Sequence, residues 1–195
     1  MCRVDGLLRF GSRSMVRLPE VYGFATLSRF AIRRSSSDAE VLGALIKAPE
    51  FEGPGYDLPT PTAEQVQEWE AFRARLMDRL TQGGQASIPP VDRRPRHGPL
   101  LVSEIRVGSY KITTADHARS VMREWAREYG DPPAEVSAQL ESEIYAALDA
   151  PRVYSLVELG QGGEWPNAYG LWAYCEFVAI DYHEQRLSLV IAAFD

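Results

Sequence analysis

Cysteine, lysine, asparagine and histidine are all scarce in this chain of 195 residues. The two cysteines, Cys2 and Cys175, stand far apart, so neither a disulfide framework nor a close pair of zinc-binding thiols is on offer. Two reduced thiols fit the cytoplasm, which is the expected location. The three histidines, His97, His117 and His183, are dispersed, whereas a metal needs ligands that converge. No apolar run approaches the roughly 20 residues that a membrane-spanning helix requires. The opening Met1-Cys2-Arg3-Val4-Asp5 lacks the apolar core of a secretory signal. Lys47 and Lys111 are the only lysines and Asn167 the only asparagine, a bias that reflects GC-rich coding and carries no mechanism. No Gly-x-Ser-x-Gly elbow, His-Glu-x-x-His pair or P-loop is present, and no cofactor is implied.

The charge that is present is segregated. Residues 1–34 carry seven arginines against Asp5 and Glu20, a net of +5, whereas residues 131–195 carry eleven acidic groups against Arg152 and Arg186, a net of −9. An acidic carboxy-terminal third can steer a basic protein partner; the bland alternative is a solvated face that keeps the chain soluble. The arginines of residues 1–34 raise nucleic-acid binding, but without a dense basic run they do not favour it.

Residues 1–21 are expected to form a poorly ordered basic segment, punctuated by Gly6, Gly11, Ser12, Ser14 and Pro19, with Met15 a second candidate start. Residues 22–195 are expected to form a single α+β domain. Alternation through Tyr22, Phe24, Thr26, Ser28, Phe30 and Ile32 predicts a strand. Ser37 and Glu40 make a capping box ahead of a short helix that ends near Pro49. After a proline- and glycine-rich connection, Thr62 and Gln65 cap a helix with an apolar stripe of Val66, Trp69, Phe72, Leu76 and Leu80, stopped by Gly83-Gly84. Residues 83–99 read as a loop. Its cluster Arg93, Arg94, Arg96 and His97 has the chemistry to grip a phosphate or carboxylate, although a solvated loop is the simpler expectation.

Leu100–Ile105 reads as a strand on which Tyr110–Thr113 pairs back. Thr113 or Thr114 then caps a helix to Tyr129, and Asp131-Pro132 begins another with Val136, Leu140, Ile144 and Leu148 inward. These two should form an antiparallel pair packed on the sheet. Val153–Leu159 is the next strand. The last twenty-five residues pair two runs rich in β-branched and aromatic side chains about the polar tip Asp181–Gln185, a hairpin signal. The first run is apolar on both faces, which predicts a central strand covered on both sides. The fold class is therefore α+β: an antiparallel or mixed sheet with the carboxy-terminal hairpin at its centre and helices packed on one face.

Candidate chemistry is thin. The glycines of 160–163 lead toward a strand, not a helix, and so read as a wide loop instead of a phosphate cradle. Asp181, His183 and Glu184 are consecutive on a turn and read as a polar tip, not a metal site. Cys175 lies on the strand side of Leu171, Ala173 and Phe177, which argues for a buried, inert thiol. Glu104, Glu158 and Glu176 lie on predicted strands and would serve as acid and base if a cleft united them. Trp165, Tyr169 and Trp172 concentrate aromatic area around the 160–170 loop, and with Glu158, Glu164 and Glu176 they form the candidate binding set.

The leading expectation is an intracellular, non-enzymatic binding protein whose acidic, aromatic-bearing carboxy-terminal third docks a basic protein, an immunity- or antitoxin-like inhibitor being one form. The alternatives are a small enzyme or ligand-binding protein with a pocket between sheet and helices, and nucleic-acid binding through the arginine-rich amino terminus.

Overall fold

The computed structural model describes residues 7–18, 23–33, 36–48, 51, 67, 71, 96–97, 100–157 and 172–194. Two compact units make up the chain, Met1–Gly55 with Pro95–Asp195, and Tyr56–Arg94. In the second, Gln67 and Ala71 are helical and exposed; the rest of the helix expected from Thr62 onward lies outside the described residues.

The first unit is built on a six-stranded sheet in the order β1-β2-β8-β7-β6-β5, every neighbouring pair antiparallel. Its strands are β1 (Leu8–Leu18), β2 (Gly23–Ile32), β5 (Tyr110–Thr113), β6 (Arg152–Leu156), β7 (Trp172–Asp181) and β8 (Arg186–Phe194). The carboxy-terminal hairpin β7–β8 occupies the two central positions, as its two-sided apolar pattern predicts. Its turn is closed by Asp181 Oδ1, which accepts the His183 and Glu184 amides at 2.9 and 3.0 Å, and by Gln185 at φ 51°. A two-residue ladder, β3 (Arg96–His97) with β4 (Leu100–Leu101), forms a separate small sheet.

Strand alternation sorts the core into two layers. On one face Ala25, Leu27, Val153, Phe177, Ala179, Val190, Ala192 and Phe194 meet α2 (Ala115–Ala126) and the helix that follows it. That helix starts as α3 (Ala134–Gln139) and continues through a π-helical stretch, Leu140–Tyr145. The five-residue repeat of the wider turn brings Tyr145 into the core with Leu140 and Ile144. The two helices run antiparallel: Arg119 meets Asp149, Met122 meets Tyr145 and Arg123 meets Glu141.

The opposite face, lined by Phe30, Ile32, Val178, Ile180, Leu187, Leu189 and Ile191, is covered by α1 (Asp38–Ile46), Phe51 and the turns from Val102 to Ser109. Helix α1 starts at the expected capping box: Ser37 Oγ accepts the Glu40 amide, and Glu40 Oε2 accepts the Ser37 amide at 2.8 Å. A fully buried leucine such as Leu27 or Leu187 contributes about 1.5–3 kcal/mol by leaving water.

Three local expectations change. Residues 8–18, read as a poorly ordered basic segment, form the edge strand β1. Only Leu8, Val16 and Leu18 of it are buried, and a bulge at Phe10/Ser12 interrupts the ladder, so its sequence is nearly as polar as a loop. The run 100–105 is a strand only at Leu100–Leu101, and a 3₁₀ turn replaces the remainder. Strand β5 pairs with β6 and not with that run, because the β6 edge offers Tyr110 and Ile112 a full ladder against Leu156 and Tyr154.

Candidate functional site

Strand β7 alternates Cys175 and Phe177 toward the α2–α3 layer and Tyr174, Glu176 and Val178 toward the other. The alternation places a carboxylate in the core: Glu176 is 1% exposed. Ionised carboxylates enter such places only with partners. His97 Nε2 lies 2.5 Å from Oε2, Tyr110 Oη donates to Oε1 at 2.6 Å, and Tyr174 Oη donates to Oε2 at 2.5 Å. His97 Nδ1 lies 2.6 Å from the Phe51 carbonyl, which only accepts, so this nitrogen carries a proton. The Phe51 ring stacks on the imidazole with centroids 3.6 Å apart and planes 7° apart.

Burial opposes ionisation of Glu176, but the charge of His97 and the hydrogen bonds from His97, Tyr110 and Tyr174 outweigh it, so the carboxyl sits below its ordinary range. Burial, followed by the Glu176 charge, pushes both tyrosine hydroxyls well up, so they remain donors. The result is a buried histidine–glutamate pair with both tyrosines as further donors to the carboxylate.

A second polar knot lies at the start of α1. Asp38 accepts hydrogen bonds from Tyr154 Oη, from Tyr182 Oη at 2.8 Å and from Arg152 Nη1 at 2.6 Å. The Arg152 guanidinium also sits 5.6 Å from the Tyr182 ring centroid. Burial of Asp38 is outweighed by these bonds, and its carboxyl is held below the usual range, while Tyr154 is pushed up to about 12, first by burial and then by Asp38.

The third concentration of charge is on the surface. From Ala115 to Asp149 the helical layer carries Asp116, Glu124, Glu128, Asp131, Glu135, Glu141, Glu143 and Asp149 against Arg119, Arg123 and Arg127. The arginines are shared among Asp116, Asp149, Glu141 and Asp131 at 2.5–3.3 Å. Glu128, Glu135 and Glu143 form no ion pair among the described residues. An open cavity of about 290 Å³ lies in this layer, lined by Arg123, Arg127, Asp131, Ser137, Glu141 and Tyr145 among others. Tyr129, just after α2, is 62% exposed, its ring edge-on to Phe194 with centroids 4.9 Å apart.

Of the candidate binding set, Glu158, Glu164, Trp165 and Tyr169 lie outside the described residues, and Trp172 is placed by its backbone alone, paired with Phe194. Glu176 points into the core instead of toward a partner, because the residue at its position in the β7 alternation faces the covered side. The three strand glutamates do not meet as acid and base: Glu104 is exposed on a 3₁₀ turn, Glu176 is buried and Glu158 is outside the described residues. His97, whose basic cluster has the chemistry to grip a carboxylate, meets one from its own chain. Cys175 is packed on the α2 side, its Sγ 3.7 Å from Met122 Sδ, and burial pushes its thiol up to about 12, which leaves it a poor nucleophile. Asp181, His183 and Glu184 form the polar turn expected, and no metal-holding cluster of His, Cys, Asp or Glu occurs among the described residues. No helix of the described residues is long and apolar enough to cross a membrane.

Sequence reasoning missed the Asp38 knot and the His97–Glu176 pair. A lone glutamate in an otherwise apolar central strand was the available signal. No protein-family model, curated protein or solved structure matches this chain.

Proposed function

We propose that the chain is a non-enzymatic binding protein that docks a basic protein partner through the outer surface of its acidic helical layer, α2 and α3. One observation carries the reading: eight carboxylates against three arginines on one exposed helical layer, with Glu128, Glu135 and Glu143 outside every ion pair of the described residues. Such a surface attracts cations over about a Debye length, roughly 8 Å at physiological salt, and orients an approaching basic surface. Exposed Tyr129 adds an amphipathic contact at the edge of the layer. The docking surface thus moves from the 160–170 loop to the helices, and an immunity- or antitoxin-like inhibitor is the form that small size and charge asymmetry favour.

The chemistry of Glu176, His97, Tyr110 and Tyr174 would suit an acid–base set, which is the case for the enzyme alternative. Glu176 and His97 are each 1% exposed and fully committed to one another, to the tyrosines and to the Phe51 carbonyl, so they favour a structural clamp. For nucleic acid, Arg9, Arg13 and Arg17 are spread along β1, and Arg13 Nε donates to Ser28 Oγ at 2.9 Å, which favours a strand edge blunted by charge over a phosphate-binding arm.

The test is kinetic. A partner isolated on the immobilised chain and then purified should associate at least about tenfold more slowly when salt rises from about 0.05 to 0.5 M. The triple variant Glu128→Gln, Glu135→Gln, Glu143→Gln should lose most of that salt dependence. A rate that is flat in salt, or a triple variant that binds as the parent does, overturns the proposal.

A further inference from the structure

The two-residue β3–β4 ladder cannot stand alone, because so short a pairing has too few hydrogen bonds and too little buried area. Leu100 packs it on the apolar layer, and its polar fastening is His97, whose side chain is held from one side by Glu176 and from the other by the Phe51 carbonyl and ring. Phe51 is 0% exposed and itself only one short turn beyond α1, its amide bonded to the Ala48 carbonyl at 2.9 Å. Neighbouring α1 is secured differently, by its own capping box and by Asp38 with Tyr154, Tyr182 and Arg152. Two parts of one cover are therefore fastened by independent polar knots.

We propose that the His97–Glu176 pair is an acid-operated latch: while Glu176 is a carboxylate the pair holds β3–β4 and Phe51 against the sheet, and protonation of the carboxylate releases them, uncovering the face around Tyr110 and Val178. With the carboxylate neutralised, the imidazolium is left without its counterion in the core, and hydrating it requires the ladder to leave. The groups that face Glu176 among the described residues are His97 from β3, Tyr110 from β5 and Tyr174 from β7; none supplies a replacement negative charge at acid pH. Because the folded carboxyl titrates below its ordinary value of 4.5, the latch is shut at neutral pH and opens only in acid below that value.

Site-resolved hydrogen exchange of the full chain, corrected for intrinsic rates, tests this in steps from about pH 7 down to about pH 2. Amides of Phe51, His97 and Leu100 should lose protection by up to about tenfold for each pH unit between the ordinary carboxyl value of 4.5 and the lower folded value, while those of Val178 and Leu189 in the central hairpin hold theirs. The double variant His97→Phe, Glu176→Gln has no titrating pair, so its β3–β4 amides should show no such pH dependence, whereas α1, still tied through Asp38, should keep its own. Protection at β3–β4 that is unchanged in acid, or lost together with the central hairpin, overturns the latch in the parent protein alone. The same acid dependence in the double variant also overturns it.

Discussion

Glu176 and His97, 79 residues apart in sequence, bring Oε2 and Nε2 to 2.5 Å with neither side chain more than 1% exposed. The pair joins the centre of the sheet to a segment that has almost no secondary structure to hold it. A buried pair of this kind is costly to assemble and costlier to halve.

Glu176→Leu is therefore expected to destabilise the fold by about 3–5 kcal/mol, since it leaves buried His97 and two tyrosine hydroxyls without their common partner. Glu176→Gln keeps an acceptor oxygen and should cost clearly less. Urea unfolding at neutral pH measures both. Equal losses for the two variants would show that shape, and not the acceptor, is what matters there.

Asp38→Asn should weaken the docking of α1 by about 1–3 kcal/mol, because three donors converge on one carboxylate. The carboxyl of Asp38 is held below its ordinary value of 3.8, so its contribution is complete above that value and is lost as pH falls through the lower folded value. Thermal unfolding from about pH 6 to pH 2 should fall more steeply in the parent than in the variant; parallel curves would remove Asp38 from the account.

Gly23 opens β2 where a Cβ would lie 2.6 and 2.7 Å from ring atoms of Phe194 and 3.1 Å from Leu18. Gly23→Ala should therefore cost about 1–3 kcal/mol as the ring is displaced from its stack on Trp125. Gly108, whose Cβ would meet nothing within 4 Å, is the internal control: Gly108→Ala should be neutral or stabilising by up to about 1 kcal/mol. Denaturant midpoints for the two variants should separate in that order.

Cys175 should resist alkylation in the folded protein at pH 8 and react at an ordinary rate in denaturant, because burial has pushed its thiol up to about 12. Mass spectrometry of a Cys2→Ser chain gives the site-specific rate. Fast labelling of the folded chain would contradict the packing against Met122.

The elements that local chemistry specifies were legible. Ser37 and Glu40 are three residues apart and close a capping box without help from the rest of the chain. Thr114 caps α2 by accepting the His117 amide at 3.1 Å, and Gly130, at φ 125°, sits after the helix where a non-glycine would be strained. The two-sided apolar run of β7 required a covered central strand, and β8 followed from the short polar tip. Amphipathic spacing likewise placed Leu140, Ile144 and Leu148 in one layer.

By itself, then, the order of residues determined the hairpin, the helix starts and the apolar stripes, since each depends on side chains within a few positions of one another. Only the tertiary structure decided that Leu8–Leu18 closes one edge of the sheet, that β5 pairs with β6, and that Glu176 of the central strand turns inward to meet His97. Those outcomes rest on which distant segment offers an unpaired edge or a compensating charge, and such complementarity exists only after the chain has been brought together.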